Sequence, residues 1–187
     1  MLEHARAQSE LATVRPVSPG SGAALQLLAA ALDAKAVVEI GTGAGVSGIC
    51  LLRGMRADGV LTTVDVQPGL QRLAREAFAA AGFQPGRSRC IPGAALEVLP
   101  RLADGQYDLV FCDGDPAESP AYLAESLRLL RPGGMVCFEG ALSALDRDSY
   151  DDRAHAAREL VSTVREHPGL LSVLLPIGDG LLCAIRR

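Results

Sequence analysis

Five short apolar runs, each followed by a stretch with helical spacing, limit the fold of this chain more than any other feature. The runs are Ala36–Ile40, Val60–Val64, Ser88–Ile91, Tyr107–Cys112 and Met135–Phe138. The clearest helix opens at Pro68: Leu70, Leu73, Ala74, Ala77, Phe78 and Ala81 recur at spacings of three and four, and Gly82 supplies a stop. Ser18-Pro19 reads as a cap and first turn for a helix carrying Leu25, Leu28 and Leu32. Further helices are expected over residues 1–13, through Ile49, Leu51 and Leu52, over Ala94–Leu102, over 121–130 and over Arg153–Glu166. Arg131-Pro132-Gly133-Gly134 reads as a turn. Such alternation implies a parallel, doubly wound α/β sheet. The tail differs. Leu170–Leu175 and Leu181–Ile185 flank a Pro-Ile-Gly-Asp-Gly loop and read as an antiparallel hairpin. With no repeat, linker or low-complexity stretch in view, we expect one domain over residues 1–187, with 1–16 as an N-terminal extension.

Composition removes several classes. The chain has 187 residues, 49% of them apolar and 21% charged, which suits a folded domain with a sizeable core and not disorder. Net charge is −4 and no Lys/Arg stripe is present, so a nucleic-acid partner has no electrostatic support. The longest apolar run, Ala23 to Leu32, is too short to span a bilayer, and charges at Glu3, Arg6 and Glu10 interrupt any signal-like segment. Cys50, Cys90, Cys112, Cys137 and Cys183 are odd in number, form no C-x-x-C pair and read as reduced, buried thiols. The expectation is a soluble cytoplasmic protein with no membrane or nucleic-acid partner.

Ligands on doubly wound sheets bind at the carboxyl ends of the strands. The candidates are therefore Gly41–Ser47, Asp65-Val66, Gly93-Ala94-Ala95, Asp113–Asp115 and Glu139. Gly43-x-Gly45-x-x-Gly48 satisfies the dinucleotide pattern, while Glu39-x-Gly41-Thr42-Gly43 begins one register earlier. A carboxylate at Asp65 suits a ribose diol, whether of NAD or of S-adenosylmethionine, and could instead cap the Pro68 helix. Glu39 is a charge inside a buried strand and needs a partner. A ligand's amino group, loop amides or an arginine would each serve. An NAD-binding oxidoreductase remains an alternative, although the chain holds one lysine, Lys35, and no Tyr-x-x-x-Lys pair.

Five motifs in order then carry a specific resemblance: V-V-E-I-G-T-G-A-G-V-S, T-T-V-D-V-Q, Y-D-L-V-F-C-D-G-D-P, L-R-L-L-R-P-G-G and G-D-G-L-L. Together, from about Val14 to the C-terminus, the chain resembles the S-adenosylmethionine-dependent O-methyltransferases of the catechol and caffeoyl-CoA type, and more closely those of actinobacteria. The resemblance implies a Rossmann-like class I methyltransferase fold with a seven-stranded, mostly parallel sheet. It implies a small hydroxylated acceptor and a homodimer. It would place Glu39, Gly41, Thr42 and Ser47 at the methionine end of the cofactor, with Val17 closing over it. Asp65 would bind the ribose, Val66, Ala94 and Ala95 would border the adenine, Asp115 would lie near the cofactor, and Asp113 would be the catalytic residue facing the acceptor.

Metal-dependent relatives hold a divalent cation on the aspartate after the fourth strand and an Asp-Asn pair after the fifth, with a lysine three residues past the first aspartate. Here the lysine position is Pro116 and the Asp-Asn position is Glu139-Gly140. Asp113 and Glu139 are the candidate Mg²⁺ ligands. The departures also leave open a methyltransferase-like binding module without catalysis. His4, His155 and His167 read as solvated, and Asp146, Asp148, Asp151 and Asp152 as an acidic loop and helix start.

Overall fold

A computed structural model describes residues 2–145 and 151–187; Asp146 and Asp148 of the acidic run lie outside these. One seven-stranded sheet organises the described chain, in the order β3-β2-β1-β4-β5-β7-β6. The strands are β1 (Ala36–Ile40), β2 (Val60–Asp65), β3 (Ser88–Pro92), β4 (Tyr107–Cys112), β5 (Leu130–Phe138), β6 (Leu170–Leu175) and β7 (Leu181–Arg186). Strands β1 to β5 run parallel, while β7 pairs antiparallel with both β5 and β6. The helices are α1 (Leu2–Leu11), α2 (Pro19–Ala31), α3 (Val46–Gly54), α4 (Pro68–Ala80), α5 (Ala95–Val98), α6 (Ser119–Leu129) and α7 (Asp152–Glu166).

Side chains alternate across a strand, so each central strand feeds two cores. Val37, Leu61, Leu109 and Phe111 pack with Leu25 and Ala29 of α2, Ile49 and Leu52 of α3, and Ala74 and Phe78 of α4. Val38, Ile40, Val64 and Val110 face the other way, onto Val98 of α5, Leu123 of α6 and Leu160 of α7. The same alternation directs Glu39 to the face of Val37, beneath α3, where it is fully buried. Ser18 caps α2 as expected, its hydroxyl accepting from Ser21 N at 2.9 Å. Asp151 caps α7, accepting from Ala154 N at 2.6 Å.

Two elements differ from the sequence reading. The helix expected over Ala94–Leu102 is a short α5 followed by a 3₁₀ turn at Leu99–Arg101. Pro100 removes an N–H that a continuing helix needs. The Arg131–Gly134 turn lies inside β5: pairing with β4 passes from Leu130 opposite Tyr107 to Met135 opposite Leu109, and the intervening residues bulge out.

The lower edge of the sheet is tied by one carboxylate. Asp108 Oδ2 accepts from Lys35 N at 2.7 Å and Ala36 N at 2.9 Å, while Oδ1 takes Arg131 Nε at 2.6 Å. Burial opposes its charge, but the two backbone donors and the guanidinium outweigh it and hold the carboxyl below its usual range. Asp108 thus links the starts of β1 and β4 to the bulge of β5. Replacing it by Ala strands two amides and a guanidinium. We expect Asp108→Ala to lose about 2–3 kcal/mol of unfolding free energy, read in urea melts as a lower midpoint with an unchanged slope.

Candidate functional site

The carboxyl ends of β1, β2, β4 and β5 open into a cavity of about 720 Å³, within the range of small-molecule sites. Among the described residues, Val17, Gly41, Thr42, Ser47, Asp65, Asp113 and Glu139 all line it.

Its floor is the loop after β1. Gly41 N donates to Val64 O at 2.9 Å, and Asp113 N donates to Ile40 O at 2.8 Å, so the end of β1 is clamped on both sides. A Cβ on Gly41 would sit 2.3 Å from Asp113 O, and its φ of +90° also favours glycine. Gly41 therefore sets how closely the loop and the Asp113 turn approach. Asp65 fixes the other side: Oδ2 accepts from Thr42 N and Gly43 N, both at 3.0 Å, and Oδ1 from Gln67 N at 2.9 Å. The capping alternative is not realised: no side chain caps α4, and the Gln67 bond closes the turn that leads into it. The loop amides are a role that the sequence reading did not assign to Asp65.

Beneath the loop runs a buried polar chain. Gln71 Nε2, in α4, reaches Thr42 Oγ1 at 2.8 Å; Thr42 Oγ1 lies 2.6 Å from Thr63 Oγ1; Thr63 Oγ1 donates to Glu39 Oε2 at 2.6 Å. Its polarity is forced. Gln71 can only donate through Nε2, and Thr63 spends its single proton on Glu39, so Thr42 accepts from Gln71 and donates to Thr63. Thr63 lies directly opposite Glu39 in the β1–β2 register, on the same face. Glu39 Oε1 is buried without a hydrogen-bond partner, and among the described residues no lysine or arginine pairs with Glu39. Of the expected alternatives, the arginine is thus absent from the described residues. The Thr63 hydroxyl, from the neighbouring β2, holds Oε2. Glu39 lies under the cavity floor and does not line it.

Asp113 and Glu139 follow adjacent parallel strands, and Glu139 N donates to Cys112 O at 3.0 Å. Asp113 is an exposed residue that lines the cavity. Desolvation, then the negative charges of Glu139 and Glu39, push its carboxyl up to about 7. Burial also raises Glu139, against a hydrogen bond from Ser21 Oγ at 2.8 Å.

The rim joins distant segments. Arg15 Nη2 reaches Asp179 Oδ1 at 2.9 Å, and Arg6 Nη1 donates to Val17 O at 2.8 Å. The Gly-Asp-Gly loop read as a plain hairpin turn is itself cavity wall: Gly178 and Asp179 line the space, and Leu142 N donates to Asp179 O at 2.8 Å. Other expected positions stand apart from the described lining. Val66 is exposed, Ala95 packs with Val64 and Val98, Ala94 precedes α5, and Asp115 accepts from Ala117 N at 3.0 Å to cap the 3₁₀ turn at Pro116–Glu118. Thr63, Gln71, Ser21 and Asp179 went unread. Thr63 is an ordinary β-branched strand residue by sequence. Gln71 is simply a polar position beside a helical stripe.

Comparison with known proteins agrees with this arrangement. The profile described as O-methyltransferase matches residues 1–187. A "Putative O-methyltransferase" of Mycobacterium sp. (strain JLS) is 55% identical over 173 residues, covering 91% of this chain and 79% of that protein. The O-methyltransferase from Bacillus cereus in complex with SAH superposes with a TM-score of 0.89 at 27% identity, over 100% of this chain and 90% of that one. TomG, the Streptomyces achromogenes O-methyltransferase involved in tomaymycin synthesis, was solved with SAM; its TM-score is also 0.89, at 25% identity over 99% and 88% of the two chains. The chain belongs to the O-methyltransferase family. That membership disfavours the NAD reading of the glycine loop.

Glu39 gives a pH test. Burial raises its carboxyl from 4.5 to about 7, Ser47 and Thr63 oppose the rise, and Asp65 adds to it. Between those values the folded chain keeps a proton that the unfolded chain has released. Its stabilising contribution is complete below about 4.5 and is lost as pH rises through about 7. Glu39→Gln lacks this loss. Relative to wild type the variant should gain stability between pH 5 and pH 8, by at most about 3 kcal/mol. Thermal melts of cofactor-free protein across that range would show it; a constant difference would refute the assignment.

Proposed function

We propose that this chain transfers the methyl group of S-adenosylmethionine to a hydroxyl oxygen of a small-molecule acceptor. The observation that carries the reading is convergence: the glycine loop, Asp65 and Asp113 meet at one cavity on the carboxyl ends of the parallel strands. The residues also fit the group. Carboxylates surround a space that would receive a cationic ligand, and Glu39 Oε1 waits unpaired under the methionine end.

When bound, S-adenosylmethionine supplies a methyl carbon already activated by its sulfonium. Val17, Gly41, Thr42 and Ser47 would hold its methionine end, with Glu39 beneath. Asp65 would offer its remaining lone pairs to the ribose, and Val66, Ala94 and Ala95 would border the adenine. Asp115 serves that side through the turn it caps. Asp113 accepts the proton of the acceptor hydroxyl as the hydroxyl oxygen attacks the methyl carbon; the C–S bond breaks and its electron pair stays on sulfur. A carboxyl lifted toward neutrality by desolvation and by the negative charges of Glu139 and Glu39 suits that step.

The protein acts as a single domain in this reading. No described helix is long and apolar enough to cross a membrane; a cytoplasmic location is part of the proposal. So is a homodimer, for which the exposed Leu171 and Val173 on edge strand β6 offer apolar surface.

Titration calorimetry with S-adenosylmethionine or its demethylated product should show sub-millimolar binding, weakened at least about tenfold by Asp65→Ala. Asp113→Asn should keep that binding while losing methyl transfer to a panel of phenols and hydroxylated acids by about 100-fold or more. Absence of binding sinks the reading. Binding without turnover on any acceptor favours the non-catalytic module. Sedimentation velocity checks the dimer.

A further inference from the structure

The metal-dependent members of this family need three protein oxygens after β4 and β5, and this chain presents one. Glu139 is the residue in question, since it replaces the first member of the Asp-Asn pair. Its Oε1 is engaged: Ser21 Oγ donates to it at 2.8 Å. Ser21 is itself held, since its hydroxyl accepts from Ser18 Oγ at 3.1 Å and its N–H donates to the same Ser18 oxygen at 2.9 Å. Its proton is thus committed to Glu139, and the side chain is fully buried. Glu139 Oε2 has neither a hydrogen-bond partner nor accessible surface, so an ion cannot reach it without rearrangement.

The remaining donors are missing as well. Gly140 has no side chain where the pair would place an amide oxygen, and Pro116 replaces the lysine. Among the described residues no group of three His, Cys, Asp or Glu side chains could hold a metal. Of the other carboxylates lining the cavity, Asp65 is held by the amides of Thr42, Gly43 and Gln67, Asp151 by Ala154 N and Asp179 by Arg15, which leaves Asp113 as the one with no described hydrogen-bond partner. Mg²⁺ demands near-octahedral oxygen coordination and sheds its waters reluctantly, so one carboxylate on a cavity wall makes a poor site.

We propose that methyl transfer in this chain proceeds without a bound divalent cation, and that Glu139 is a structural tie from the end of β5 to the first turn of α2. This rests on the methyltransferase reading above. It assigns Ser21 a positioning role: it pins one Glu139 oxygen against α2 and so engages it away from any ion at Asp113. It also predicts that the acceptor needs no pair of oxygens arranged to chelate a metal, so isolated hydroxyls qualify.

The fold allows the missing donors to be restored. A Cβ on Gly140 meets no atom within 4 Å, and its φ of +81° is one that asparagine tolerates better than most residues. Shortening Glu139 to Asp withdraws the carboxylate from Ser21 and frees both its oxygens. The test is Mn²⁺ titration of protein saturated with the demethylated cofactor, followed by calorimetry and by the Mn²⁺ electron-spin signal. Wild type should show no saturable binding up to on the order of 1 mM, and the E139D/G140N double variant should bind at least about tenfold more tightly than that limit. Methyl transfer by wild type should survive a chelator unchanged.

Saturable Mn²⁺ binding to wild type, abolished by Glu139→Gln, would overturn the proposal. So would chelator inhibition reversed by Mg²⁺. If neither protein binds Mn²⁺ while both bind the demethylated cofactor, the missing donors are not the cause and the argument falls. Failure of that cofactor to bind is a different result, and it refutes the underlying methyltransferase reading.

Discussion

The site depends on a buried carboxyl that no described cation neutralises. Glu39 sits in the central strand, under α3, with one oxygen held by Thr63 and the other unpaired. Burying such a group is costly. The chain limits that cost with a line of donors of fixed polarity, from Gln71 through Thr42 and Thr63. Because Thr42 belongs to the glycine loop and Gln71 to α4, the same line aligns loop, sheet and helix. Asp65 completes the frame from above through the amides of Thr42 and Gly43. The loop is thus pre-formed by groups that include Asp65, the carboxylate the ribose would meet. Binding then needs little ordering of the backbone.

The two carboxylates at the acceptor end differ although they leave adjacent strands. Asp113 opens onto the cavity, while Glu139 is drawn aside by Ser21. The difference comes from α2 and not from the strands. The Ser18 cap orients Ser21, and Ser21 decides what Glu139 can do. A cap residue, ordinarily a device for ending a helix neatly, here reaches into the chemistry of the site.

How much of this was legible in advance follows from the range of the interactions. Ala36–Ile40 and Tyr107–Cys112 were readable to the residue, since unbroken apolar runs mark strands buried on both faces. The cavity's location followed from the ends of those strands, and Gly41, Thr42, Ser47, Asp65, Asp113 and Glu139 all came from that rule or the resemblance. The partners did not. Thr63 meets Glu39 through cross-strand register, Ser21 meets Glu139 across 118 positions, and Arg15 meets Asp179 across 164. No local pattern encodes such pairings. The bulge at Arg131–Gly134 was misread for a related reason: proline and glycines mark an interruption, but only the partner strand shows that pairing resumes beyond it.

The hairpin also sets when the pocket closes. Strand β7 inserts between β5 and β6, and the loop before it supplies Gly178 and Asp179 to the cavity and receives Arg15 across 164 positions. The glycine loop and Asp65 are joined by neighbouring strands, but the wall facing them needs a pairing of long sequence separation, and such pairings are slow to form. A partly folded chain with the hairpin undocked therefore carries half a pocket. Affinity for the methyl donor is then a report on docking of the hairpin as well as on the glycine loop.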